Sequence, residues 1–255
     1  MADTDSSSLR TISQQLTQAR MQARALARPP EGIPETLEDA YRVQDHSIAA
    51  WDDKVAGWKV GGVPPSYLDR FSDKKLVGPI FGKSIRHAVA GQVTPMPVFE
   101  GGFAAIEPEF IFELGESEDE TRMFIGVEIA SSPVLALNDY GPTAIISDFG
   151  NNHGMLLGPE VADWRSRGSD LRVVCEIDGA VIGEKHLDNF PEDALASLAF
   201  LREISARRGY DLPAGTYVSS GAITGVHEAE VGATSRIDFA ELGTLELELV
   251  RATAQ

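Results

Sequence analysis

Cysteine is nearly absent from this 255-residue chain. Cys175 stands alone, so no internal disulfide can form. It lies in LRVVCEID among β-branched residues, where a buried inert thiol is expected rather than a nucleophile. The five histidines (46, 87, 153, 186, 227) are scattered, without His-x-x-x-His or Cys-x-x-Cys spacing, which argues against a zinc site. Gly-x-Gly-x-x-Gly and Walker A patterns are missing, and with them the usual phosphate cradles of nucleotide sites. Gly-x-Ser-x-Gly is missing too, so Ser220 has no nucleophile-elbow context. No apolar run reaches the roughly 18 residues that a spanning helix needs. The opening MADTDSSSLRTISQQ has no basic stretch followed by an apolar one, so no secretory leader is expected. These absences together fit a reducing, cytoplasmic setting.

Positive charge is also scarce. Lys and Arg number 22 against 39 Asp and Glu, for a net charge of -17 and a pI near 4.6. Such a surface is a poor partner for nucleic acid or an anionic membrane. An acidic substrate would have to be captured by local cations.

What is present suits a globular chain of one large domain or two small ones, 43% hydrophobic with a mean hydropathy of -0.11. Residues 1–8 read as disordered. Leu9, Ile12, Leu16, Ala19, Ala23 and Leu26 recur at helical spacing and predict an amphipathic helix ending near Arg28, before Pro29-Pro30. Thr36 is placed to cap a second helix running to about Asp52, with Glu38 and Asp39 in its first turn. From Val55 the texture becomes β-rich: AGWKVGG, GPIFGKSI, AAIEPEFIFELG, MFIGVEIASS and GTYVSSGAI. LRVVCEI and AVIGE flank Asp178-Gly179, a two-residue hairpin turn. A helix interrupts the strands, with Pro191 near its start, an apolar face of Ala194, Leu195, Leu198, Leu201 and Ile204, and Gly209 past its end. The expected fold class is α+β, mainly β, with a helical segment over residues 1–54 packed on a β domain over 55–255.

The chemistry-bearing residues stand inside these strands. In Ala105-Ile106-Glu107-Pro108-Glu109-Phe110 two glutamates alternate and so project from one face, about 6.5–7 Å apart along the chain. Carboxylates that close repel each other unless a cation sits between them, and hard divalent ions take all-oxygen ligands. The competing reading is that Glu107, Glu109 and Glu113 form the wet side of a half-buried strand. Glu128, in another apolar run, is a third carboxylate that is either paired, solvated or a ligand. Lys59, in Gly57-Trp58-Lys59-Val60-Gly61-Gly62, is either a partly buried base, its pKa drawn toward neutrality by desolvation, or an edge-strand lysine. The stretch Ser219 to Gly225 offers hydroxyls and backbone N–H groups for a carboxylate, or is a plain turn.

Taken in order, these pieces resemble the fumarylacetoacetate hydrolase superfamily, closest to its 2-keto-4-pentenoate hydratase branch, from about Leu37 to Val250. The resemblance is carried by LEDAYRVQ (37–44), Gly57-Trp58-Lys59-Val60-Gly61, Pro79-Ile80-Phe81-Gly82, Ile106-Glu107-Pro108-Glu109, Glu128-Ile129-Ala130-Ser131-Ser132, the loop from Asp148 to Gly158, Leu212-Pro213-Ala214-Gly215 and Ser220-Gly221-Ala222-Ile223-Thr224. It implies a mixed β-roll, Mg²⁺ or Mn²⁺ held by Glu107, Glu109 and Glu128, Lys59 as the catalytic proton carrier, and Phe81, Ser220, Gly221 and Thr224 on the substrate side. It also implies a homo-oligomer and a small 2-oxo acid as substrate. The implied reaction is hydration of a 2-hydroxy-dienoic acid such as 2-hydroxypenta-2,4-dienoate, in the catabolism of aromatic compounds. Two rivals share the metal-stabilised enolate: decarboxylation of a 2-oxo-dienedioate, with Lys83 or Arg86 for its second carboxylate, and C–C hydrolysis of an acylpyruvate, with His153 to activate water. A rival of another class is a non-catalytic ligand-binding or assembly relative. The chain departs from the hydratase pattern at Ile80, where an Asp is common, at Phe149 in place of Asn, at Ala222 in place of Ser, and in the short interval from Glu109 to Glu128.

Overall fold

Two β-sheets and four helices make up the described part of the chain, residues 2–168 and 170–255 of a computed structural model, with side chains described from Ser6 onward, Ser169 apart. Helix α1 (Ala2–Met21) begins well before the expected start; of the segment expected to be disordered, Met1 lies outside the described residues. It also ends earlier than Arg28. Ala23 turns left-handed at φ +46°, its N–H meets the Arg20 carbonyl, and the Arg24 N–H meets the Ala19 carbonyl. That is a Schellman stop built on alanine instead of glycine, so the usual sequence signal is missing. Leu26, spaced as if helical, instead forms a parallel bridge to Val134.

Helix α2 (Leu37–Ala50) starts as expected, with the Thr36 hydroxyl accepting from the Asp39 N–H at 3.2 Å. Its buried face reaches the sheet. Gln44 donates to the carbonyls of Val77 and Ile146 at 3.0 and 2.9 Å, and the Val77 N–H donates to the Tyr41 hydroxyl at 3.1 Å. Leu9, Ile12 and Leu16 of α1 and Val43 of α2 share one apolar core with Trp58, Phe110, Phe112 and Leu247.

The larger sheet contains β1 (Val55–Gly62), β2 (Lys75–Phe81), β3 (Ile85–His87), β5 (Phe103–Glu113), β6 (Arg122–Ser132), β7 (Asn152–Glu160), β10 (Tyr217–Ser219) and β11 (His227–Glu228). Their order is β2-β1-β10-β5-β6-β7-β3, with β11 pairing β5. The smaller sheet runs β4 (Thr94–Val98), β13 (Thr244–Arg251), β12 (Thr234–Asp238), β8 (Leu171–Ile177) and β9 (Ala180–Leu187). Both sheets are mixed: β1–β10, β3–β7 and β4–β13 are parallel pairs within otherwise antiparallel ladders. The Asp178-Gly179 hairpin forms as expected, with φ of +50° and +77° at its two central residues. Helix α3 (Pro142–Ser147) precedes β7. Helix α4 (Glu192–Arg208) ends on Gly209 at φ +75°. GTYVSSGAI, expected as a longer strand, is β only over Tyr217–Ser219. Among the described residues no helix is long and apolar enough to cross a membrane.

Candidate metal centre

The longest pairing in the molecule builds the site. Strands β5 and β6 run antiparallel in unbroken register from Phe103↔Ser132 to Glu113↔Arg122. This register puts Glu107 opposite Glu128 and Glu109 opposite Gly126, so all three glutamates share one face. Glu107 is 5% exposed, and Glu109 and Glu128 are fully buried. The wet-strand reading is therefore overturned. The three offer carboxylate oxygens within 4.8 Å of one another. Gly126, opposite Glu109, leaves the space that Ile111 fills, since a Cβ there would lie 2.5 Å from the Ile111 side chain.

Lys59 reaches the same face from β1, two strands away across β10, whose Ser219 pairs Lys59 on one side and Ile111 on the other. Its ammonium lies 3.5 Å from Glu128 Oε1, and the side chain is 4% exposed. The edge-strand reading of Lys59 falls with that burial. The expected drop of its pKa does not hold either. Burial pushes it down, but the fields of Glu128, Glu107 and Glu109, with the contact to Glu128, outweigh burial and hold it above its ordinary value. The carboxylates respond in the opposite sense. Burial, then Glu128, lift Glu107 to about 7 against the pull of Lys59. Burial and both neighbouring carboxylates hold Glu109 well above the carboxylate range, despite two hydrogen bonds.

Those two bonds come from the end of β10 and the turn that follows it. Ser219 Oγ donates to Glu109 Oε2 at 2.5 Å and the Gly221 N–H to the same oxygen at 2.8 Å. Asn152 Nδ2, at the start of β7, donates to Glu128 Oε1 at 3.0 Å. Glu109 and Glu128 are thus each held at one oxygen, while Glu109 Oε1 and Glu128 Oε2 are buried with no hydrogen-bond partner among the described residues. Of the unpartnered buried side-chain atoms in the described residues, these are the two carboxylate oxygens. A buried carboxyl oxygen left bare is costly, and a hard cation satisfies it. Three convergent carboxylates with free oxygens fit Mg²⁺ or Mn²⁺.

The structure brings together Lys59, Glu107, Glu109, Glu128 and the Gly221 amide. It places the other expected residues elsewhere. Ser220 follows Ser219, and its N–H donates to the Phe110 carbonyl while it lines a small cavity with Phe110 and Phe190. Thr224 is hydrogen-bonded to His227 at 2.9 Å. Phe81 lies one residue past the Ile80 that shares Lys59's face, and its ring packs on Trp51 and Phe149 at 5.6 and 5.0 Å. There it lines a cavity of about 210 Å³ together with Lys83, Arg86, Asn152 and His153. The His153 ring packs tilted on Phe99, with centroids 4.3 Å apart, beside Arg20. Sequence reasoning missed Asn152 and, within the stretch Ser219 to Gly225, singled out Ser220 where the structure uses Ser219. Alternation along β10 assigns Ser219 to the site once β10 is known to lie beside β5, and that neighbour is not written in the local sequence.

Beyond the site on the same face stands a fully apolar cluster: Ile80, Ile111, Phe124, Met155 and Leu157. Position 80, where the hydratase resemblance implies an acid, is thus a fully buried isoleucine.

No family model matches the chain, and no curated protein matches it. Solved structures do. The 4-oxalocrotonate decarboxylase from Pseudomonas putida G7, complexed with magnesium and adipate, aligns at a TM-score of 0.76 and 19% identity over 96% of this chain and 98% of its own. The same enzyme complexed with calcium and acetate aligns at 0.74 and 19% identity over 95% and 97%. The fumarylpyruvate hydrolase from Pseudomonas aeruginosa, in complex with Mn²⁺ and pyruvate, aligns at 0.54 and 14% identity over 76% and 89%. The chain therefore has the fold that the sequence resemblance implies, and the decarboxylase shares it along nearly the whole length.

Proposed function

We propose that the chain is a divalent-metal-dependent lyase of the fumarylacetoacetate hydrolase superfamily acting on a small 2-oxo or 2-hydroxy-dienoic acid. The observation that carries this reading is the buried trio Glu107, Glu109 and Glu128, with two bare carboxylate oxygens, beside the buried ammonium of Lys59. A bound Mg²⁺ or Mn²⁺ would supply Lewis-acid stabilisation of enolate charge at the 2-oxo group. The chain's own groups do the rest. Ser219, Gly221 and Asn152 fix one oxygen of each of two ligands and leave the other free. Lys59, held protonated by three carboxylates, delivers a proton to the substrate carbon chain and takes one back.

Hydration of 2-hydroxypenta-2,4-dienoate is the first reaction to test, because the ordered run of motifs most resembles the hydratase branch. Decarboxylation of a 2-oxo-dienedioate is the second reading, and two observations favour it. The full-length structural similarity is to a decarboxylase, and the wall beside the site is apolar at Ile80, where water addition would call on an acid.

The test is a UV absorbance assay on a panel of 2-hydroxydienoates, 2-oxo-dienedioates and acylpyruvates, with Mg²⁺ or Mn²⁺ and with EDTA. Dienoate loss that EDTA abolishes supports the lyase, and carbon dioxide release separates decarboxylation from hydration. Turnover confined to acylpyruvates moves the chain to the hydrolases. Metal binding without turnover of any member favours the non-catalytic relative.

A further inference from the structure

Arg20 lies on α1, far in sequence from the glutamates, and is 3% exposed. Its guanidinium grips one short segment. Nε and Nη2 form a bidentate pair with Asp148 at 2.6 and 2.9 Å, and Nη2 also reaches the Asp148 carbonyl at 3.0 Å. Nη1 donates to the Asn152 carbonyl at 3.0 Å, and Nη2 to the Ser131 carbonyl, near the end of β6, at 3.1 Å. The rings of Phe99 and Phe149 flank it at 5.5 and 5.1 Å. A buried ion pair by itself is weak evidence of stability. Here one cation binds three backbone carbonyls and so ties the two ends of the segment 148–152 to each other and to the end of β6.

The gripped segment is strained. Phe149, Gly150 and Asn151 have φ of +57°, +65° and +59°, and two of the three are not glycine. Such conformations persist only where the surroundings over-determine them. The segment also touches the metal centre at two points. Asn152 holds Glu128 Oε1, and Gly150 lies against Lys59, where a Cβ would sit 3.4 Å from Lys59 Cδ.

Resting on the metal-centre reading above, we infer that Arg20 is a positioning residue of that centre. By fixing residues 148–152, it sets where Asn152 holds Glu128 and where Gly150 covers the stem of Lys59. Helix α1 is then part of the catalytic apparatus, not only a cover for the core.

The experiment is a Mn²⁺ titration of the full chain followed by electron paramagnetic resonance, with thermal melts alongside. Arg20→Gln, Arg20→Lys, Asn152→Ala and the double variant Arg20→Gln/Asn152→Ala are compared with the native sequence. Outer-shell partners of metal ligands typically change affinity about 10–100-fold, and that loss is expected for each single variant. The double variant is expected to lose little more than Asn152→Ala alone, because both changes break one route. If Arg20→Gln does not fold, Arg20→Lys, which keeps the charge and most of the volume, carries the test. Unchanged Mn²⁺ affinity in a folded but less heat-stable Arg20 variant would overturn the inference, as would fully additive losses. Absence of Mn²⁺ binding in the native sequence would instead overturn the metal-centre reading itself, and this inference with it.

Discussion

At the scale of the residue, the site consists of few groups, each with one task. Lys59 is the sole cation against three carboxylates in the described site. Lys59→Ala is expected to lower turnover by at least about 10²-fold, the usual scale for a proton-transfer group, with the circular dichroism spectrum unchanged. Loss of the spectrum would assign Lys59 a structural role instead. His153 gives a prediction in pH. Burial, and after it the nearby Arg20, hold its pKa down to about 3 from an ordinary 6.5. Between those values the unfolded chain binds a proton that the folded chain does not, so stability falls as pH drops below 6.5. Urea unfolding at pH 7 and pH 5 is expected to show a smaller loss in His153→Gln than in the native sequence. Equal losses would mean that the His153 ring is not held neutral.

At the scale of the element, the loop between α3 and β7 is the piece on which the site depends. It passes so close to β2 that a Cβ on Gly78 would lie 2.1 Å from the Phe149 carbonyl oxygen. Gly78→Ala must therefore push the loop outward. A cost of about 1–3 kcal/mol, as for overpacked cores, is expected by urea unfolding, together with weaker Mn²⁺ binding because Asn152 moves with the loop. Gly78→Ala that leaves both quantities unchanged would show the loop to be free of β2.

At the scale of the whole molecule, the ligands come from two strands, their supports from three further segments, and the lysine from another strand. Unfolding disperses them all, so on the proposed reading metal binding is expected to stabilise the fold. Mn²⁺ at about 100 times its dissociation constant adds about 2.7 kcal/mol, or about 5–10 °C in Tm for a chain of this size, and EDTA removes it. The gain is expected to grow from pH 6 to pH 8. Glu107, with its pKa lifted to about 7, carries a proton at the lower pH that the metal must displace. Differential scanning calorimetry with and without EDTA checks both, and a Tm indifferent to metal at pH 8 would count against the centre.

The sequence by itself determined the local facts: the Thr36 cap, the Asp178-Gly179 hairpin, the Gly209 stop, and two glutamates alternating in an apolar strand. Each rests on residues within a few positions of one another, where backbone preferences and strand alternation decide. The ordered run of short motifs carried the fold and the glutamate trio further than any of them alone. Tertiary structure decided the rest. Burial turned three acidic residues from a possible wet face into a bare-oxygen site. Pairing β10 beside β5 selected Ser219 rather than Ser220 as the hydroxyl on Glu109. The field of three carboxylates raised the pKa of a lysine that desolvation alone would lower. An alanine at φ +46° ended α1 and left Arg20 in its last turn, facing a loop 128 residues away. Coulomb fields, burial and strand neighbours depend on distances in space, and a local sequence pattern carries no such distance.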